Sequence, residues 1–231
     1  MRDKVMLAFL IFLLSFQMNP PIDLSRLPQT AASVRDFVPA GWTVEAEING
    51  DLNGDSIPDL SVTLVEQMPA DADKENPPEL QRALLILLKT ADGKFSRAGL
   101  ATKLLLCTRC GGAFYGVVET PVNVEIKNGV LIVRQEYGSR ELTQETYRFR
   151  YEAESGRFLW IGADLRGYDR MTGATQTEST NFLTGVKLTT ASRANEKTGK
   201  DVVIANKSQR VSRAKKYLED VVAHENEQEK K

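Results

Sequence analysis

The sequence predicts an all-β fold, a single antiparallel sheet or meander of sandwich- or blade-like form, with a short N-terminal helix and a C-terminal helical tail. Three observations carry this. Apolar and polar residues alternate on both sides of an acidic loop, in "WTVEAEI" and "LSVTLVE". Turn-forming pairs, Asp92-Gly93, Asn128-Gly129 and Ser155-Gly156, separate apolar runs. The 42% apolar content of 231 residues is enough for a buried core and bounds the chain at one or at most two domains.

The N-terminus stands apart. Arg2 and Lys4 precede "VMLAFLIFLLSF", an uncharged apolar run over residues 5–16 that Pro20, Pro21 and Asp23 close before it reaches the length of a membrane span. This is a signal-peptide pattern over residues 1–18. It predicts an exported protein, periplasmic or extracellular, with no membrane span after cleavage; an uncleaved anchor is the alternative. Residues 19–41 form an N-terminal segment whose "SVRDFVPAGW" predicts a short helix from Ser33, stopped by Pro39 and Gly41.

Residues 42–191 form the predicted β-domain. Trp42, Val44, Ala46 and Ile48 share one face of a first strand, and Leu60, Val62 and Leu64 one face of a second. "MPADADKENPPEL" is a long exposed loop in which Asp71 and Asp73 are solvated. "RALLILLKT" is apolar on both faces and reads as a central strand, with "FSRAGLATKLLLC" returning after the Asp92-Gly93 turn. In "PVNVEIKNGVLIVRQEY" a two-residue Asn128-Gly129 turn pairs Ile126 with Leu131 and Val124 with Val133. In "TYRFRYEAESGRFLWIGAD" a Ser155-Gly156 turn sets Tyr151 against Trp160 with Phe149 on their side, a core cluster rather than a stacking platform for sugars or bases. A polar stretch after Tyr168 leads to a last strand pair in "NFLTGVKLTTA". Residues 192–231 read as a charged linker and a C-terminal helix, with Val211, Ala214, Leu218, Val221 and Val222 near helical spacing.

Composition removes several functions. A formal net charge of -1 supplies no field for nucleic acid, which is not an expected partner. The sole histidine, His224, sits in a charged tail, which argues against a Ser-His-Asp or Cys-His hydrolase. No Gly-rich phosphate loop is present. Two-carboxylate glycoside chemistry stays open, because spacing along a sequence does not display acids that face each other across strands.

Two motifs remain. Cys107 and Cys110, in "LLLCTRCGGAF", are the only cysteines, and export favours their oxidation. Three readings compete: a tight structural disulfide, half of a zinc site, or a thioredoxin-type redox pair. Zinc would need two more N or S ligands, where the chain offers no other cysteine and the one histidine, His224, and Gly111-Gly112 is poor material for the helix that would activate a redox thiol.

The second motif is "GDLNGDSIPDL". Counting Asp51 as position one, Asp51, Asn53, Asp55 and Asp59 put side-chain oxygens at one, three, five and nine, and Ile57 offers its carbonyl at seven. Alternate residues of a curled loop can turn such oxygens inward around a Ca²⁺, while an EF-hand is excluded because its twelfth position is Val62 and its flanks are strands. The competing reading is a polar turn whose side chains bond its own backbone.

These residues resemble the calcium loop of integrin-type FG-GAP and related VCBS repeats, D-x-[DN]-x-D-G-x-x-D between two strands. Ser56 departs from the glycine of that pattern. "FVPAGW", "GDLNGDSIPDL", "RALLILL", "LLLCTRCGGAF" and "YRFRY...GRFLWIGAD", in this order, further resemble a group of uncharacterised bacterial exported proteins carrying one such segment. The resemblance implies export and a structural, weakly bound Ca²⁺, and no reaction. The expected function is a non-enzymatic cell-envelope β-domain acting through protein or glycan contacts. The alternatives are a thiol-disulfide protein using the cysteine pair and a carboxylate-based hydrolase.

Overall fold

The computed structural model describes residues 22–23, 26–116, 118–194, 198 and 201–223; the predicted signal peptide and His224 lie outside them. Among the described residues twelve strands follow in order: β1 Thr30–Ala31, β2 Trp42–Gly50, β3 Asp59–Glu66, β4 Arg82–Lys89, β5 Phe95–Ala101, β6 Val122–Lys127, β7 Val130–Gly138, β8 Glu141–Glu152, β9 Arg157–Asp169, β10 Ala174–Asn181, β11 Val186–Ala194 and β12 Asp201–Arg210. The all-β class holds, but the expected single sheet is two. A five-stranded sheet runs β1-β5-β4-β3-β2, and a seven-stranded meander runs from β6 to β12. The division falls in residues 102–121, where the chain leaves β5 and the consecutive Leu104, Leu105 and Leu106 are all buried.

β4 explains why its sequence does not alternate. Leu84 and Ile86 enter the core between the sheets, with Leu131 and Val133 of β7, Tyr147 and Phe149 of β8 and Phe158 of β9. Ala83, Leu85 and Leu87 enter a second core on the other face, roofed by Leu27, Phe37 and Trp42. Each fully buried Leu or Ile contributes about 1.5–3 kcal/mol, so a strand covered on both sides gains at every position. The predicted central strand is therefore correct, and its two coverings are the N-terminal segment and the second sheet.

Local turns obey their residues. Asn128 (φ 52°) and Gly129 (φ 72°) both adopt the left-handed region, as a two-residue hairpin requires. The resulting register pairs Ile126 with Leu131 and Val124 with Val133, as expected. The β4–β5 hairpin turns at Gly93 (φ 83°), and its returning strand ends at Ala101 rather than running on to Cys107.

Four expectations are corrected. The short N-terminal helix is one 3-10 turn, Val34–Phe37, because the chain turns extended at Val38 after burying Phe37. In β2 the pairing shifts between Val44 and Ala46, so the second half of the strand turns over and Ala46 is exposed. The β8–β9 turn spans residues 153–156, which sets Tyr151 opposite Phe158 and Phe149 opposite Trp160; Phe149 and Phe158 are fully buried, so the cluster is core. The fourth correction concerns residues 192–231. β11 runs on through Ser192, β12 follows it, and Leu218–Asp220 is a single 3-10 turn, so among the described residues no C-terminal helix forms. The tail is instead a strap: the Trp160 N–H donates to the Lys216 carbonyl, the Ala223 N–H to the Lys103 carbonyl, and Leu218 and Val221 drop into the inter-sheet core. A strap that buries every third or fourth side chain has the spacing of a helix without its backbone. Among the described residues no helix is long and apolar enough to cross a membrane.

Candidate functional site

The acidic loop joins β2 to β3 and folds on its own side chains. Asp51 accepts the Gly54 N–H through Oδ1 at 2.7 Å and the Ser56 N–H through Oδ2 at 3.0 Å. Asn53 Oδ1 accepts the Asp55 N–H at 3.0 Å, and Asp55 Oδ1 accepts the Ile57 N–H at 2.7 Å. Two residues take left-handed backbone, Gly54 (φ 84°) and Ser56 (φ 66°). For serine that conformation costs about 1 kcal/mol, which marks the one position where the sequence departs from the glycine of the resembled pattern.

Asp59 closes the loop from inside the sheet. It is fully buried and accepts the Leu52 N–H and the Lys89 N–H, each at 2.9 Å, so one carboxylate ties the loop's start to the end of β4. Burial pushes its pKa above the ordinary carboxylate value; these backbone N–H groups pull it back, and the charge of Asp55 adds to the rise.

The donor set of Asp51, Asn53, Asp55, Asp59 and the Ile57 carbonyl is all oxygen, the chemistry of a hard cation such as Ca²⁺. The carboxylate oxygens of Asp51, Asp55 and Asp59 are not all within 4.8 Å of one another; among the described residues the three-residue ligand cluster that meets that distance is Glu79 with Cys107 and Cys110. That cluster does not suit zinc, because both sulfurs are spent in a disulfide.

The Cys107–Cys110 pair, with Cα atoms 5.1 Å apart, staples the start of the connection between the sheets. Thr108 beside it donates its N–H to the Leu80 carbonyl and accepts the Leu80 N–H on Oγ1, while its own carbonyl accepts the Thr120 N–H at 2.7 Å. The glycines then let the chain reverse against the end of β7. A Cβ on Gly112 (φ 71°) would stand 2.7 Å from the Gly138 carbonyl oxygen, and the Gly138 N–H donates to the Gly111 carbonyl at 2.9 Å. No α-helix is present among the described residues, so the helix N-terminus that activates a redox thiol is not beside this pair.

One buried side chain that organises the region beside the disulfide had no signal in the sequence. Arg82, 3% exposed, opens β4 and holds Glu45 through Nε and Nη2, Glu119 through Nη2 at 2.5 Å, and the Thr120 carbonyl through Nη1 at 3.0 Å. Glu45 reaches it from the point where the β2 register shifts. This planar fork binds the disulfide-bearing connection to the five-stranded sheet.

Fold and site together define a class: a two-sheet β-domain with a carboxylate-rich interstrand loop and a stapled connection between its sheets. Compared with known proteins, the chain matches no family model, no curated sequence and no solved structure.

Proposed function

We propose that the protein is a non-enzymatic, exported cell-envelope β-domain that binds one structural Ca²⁺ in the loop at residues 51–59 and acts by binding a protein or a glycan. The observation that supports the ion is the left-handed Ser56: the sequence accepts strain at the one position where the resembled calcium loop places glycine. A loop needed only as a turn has cheaper solutions. When bound, the ion would offset the mutual repulsion of Asp51, Asp55 and Asp59; Asp51, Asn53, Asp55, the Ile57 carbonyl and Asp59 would hold it. Export is supported by the apolar run at residues 5–16 and by the disulfide.

Ca²⁺ should raise the melting temperature of the folded domain. For a site with a dissociation constant of about 0.1–1 mM, ten times that concentration stabilises by about 1.4 kcal/mol, or about 3–6 °C. Asp51→Ala and Asp55→Ala should each abolish the increment while leaving the metal-free protein folded. An equal calcium response in wild type and both variants refutes the assignment.

A further inference from the structure

The seven-stranded sheet is longer than the sheet that covers it. Val133 and Tyr147 turn its inner face into the inter-sheet core, yet among the described residues none from β10, β11 or β12 belongs to that core. Beyond the covered part, the same face continues into a cavity of about 550 Å³.

The register gives its shape. Tyr137 pairs with Thr143, Thr143 with Gly167, Gly167 with Gln176 and Gln176 with Ala191, so these five residues form one row across five strands, with side chains on one side. Gly167 interrupts that row: a Cβ there would meet no atom within 4 Å. Two residues away on one side, Glu141 lies opposite Asp169; two residues away on the other, Leu165 lies opposite Glu178. The acidic rows are about 13 Å apart, and the row between them extends about 14 Å from β8 to β11 at ordinary strand spacing. The result is a trough with an uncharged floor and carboxylate rims.

Charge and hydrogen-bonding character select the occupant. Glu141, Asp169 and Glu178 line the cavity, and among the described residues no Lys or Arg does, which disfavours an anionic ligand. Asp169 is bonded by Arg140 at 2.8 Å and by the Met171 and Thr172 N–H groups, and Glu178 is paired with Lys187 through one oxygen, so two rim carboxylates have their charge matched from within the protein; Glu141 on one rim and the second Glu178 oxygen on the other are left as hydrogen-bond acceptors. Thr143 and Gln176 add neutral donors and acceptors to the floor. A strongly cationic peptide would find much of this charge already paired; a chain of hydroxyls would find acceptors on both rims.

We propose that this trough binds a linear, uncharged oligosaccharide lying across β8 to β11 over Gly167. The assignment rests on the binding reading above and adds to it the place and the ligand class. The proposal is for binding and assigns no reaction: Arg140 holds the Asp169 carboxyl well below the carboxylate range, so Asp169 is not a general acid.

The test measures binding of the whole folded chain to neutral gluco-, manno- and N-acetylglucosamine oligomers, to oligogalacturonate and to oligolysine. Binding to at least one neutral series, with none to oligogalacturonate, is expected. Gly167→Leu fills the floor and should weaken that binding at least about tenfold at an unchanged melting temperature; Gln176→Ala, at an exposed strand position, should weaken it several-fold. No binding to any neutral oligomer, preference for oligolysine, or full binding by both variants overturns the proposal. The calcium-dependent melting shift, recorded on the same samples, separates the two readings: a retained shift without glycan binding removes the trough alone, and glycan binding without a shift removes the calcium loop alone.

Discussion

Ser56 and Arg82 are two residues whose substitution reads out the account most sharply. Ser56→Gly removes a left-handed serine, so the metal-free domain should gain up to about 1 kcal/mol in denaturant unfolding. A loss of stability would mean that the serine hydroxyl contributes more than its backbone costs. Arg82→Leu acts in the opposite direction. It strips Glu45, Glu119 and the Thr120 carbonyl of a shared partner, and breaking such a buried arrangement costs about 3–5 kcal/mol. Glu119 is mostly exposed and can rehydrate, so the expected loss is at the lower end, about 3 kcal/mol, measured by urea unfolding. That the acidic residues form a loop between two strands was legible at this scale, because Asp and Asn at alternate positions bond the backbone of their own turn. Arg82 was not, since its two carboxylate partners each lie 37 residues away and a strand-opening arginine resembles any other.

Among the elements, the disulfide loop and the C-terminal strap can each be detached. Cys107→Ser with Cys110→Ser opens a very short covalent loop, so stability should fall by only about 1–2 kcal/mol, with the calcium-dependent melting shift unchanged. The strap is held electrostatically as well as by Leu218. Glu152 is bonded by Lys215 at 2.6 Å and by the Tyr217 hydroxyl at 2.9 Å, while Arg157 stacks over the Tyr217 ring at 3.9 Å. Lys215 first, then Ser155 and Tyr217, hold the Glu152 pKa down to about 2 from an ordinary 4.5. A depressed carboxyl stabilises the docked state above the unfolded pKa and loses that stabilisation as the pH falls through the folded one. Protection of residues 215–223 against hydrogen exchange should therefore fade between pH 4.5 and about 2, and Glu152→Gln should remove that step. The hairpin at Asn128-Gly129 was legible because two residues that tolerate positive φ leave the chain one turn and one register. β12 was not: its Val202, Val203 and Ile204 are all exposed on an edge strand, so no alternation distinguishes an inner face. The strap imitated a helix because only spacing, not the direction of backbone hydrogen bonds, is written in sequence.

For the molecule as a whole, the all-β class followed from alternation and turns, but the number of sheets did not. The apolar run of β4 says that both faces are covered without saying by what, and the answer came from segments far away in sequence, the N-terminal turn on one side and β7 to β9 on the other. The trough was equally hidden, since Thr143, Gly167 and Gln176 have no common motif and meet only through register. What unites the molecule in the proposed account is the calcium loop, because Asp59 ties it to β4 and hence to the centre of the five-stranded sheet. The most direct measurement is a calcium titration of the folded domain followed by amide resonances. The Leu52, Gly54, Ser56 and Ile57 N–H groups all donate to the side chains of Asp59, Asp51 and Asp55. The account predicts that these four resonances shift together and saturate with a dissociation constant of about 0.1–1 mM, and that Asp51→Ala abolishes the response. Unmoved loop resonances at about ten times that concentration, or shifts confined to other acidic surfaces, would contradict it.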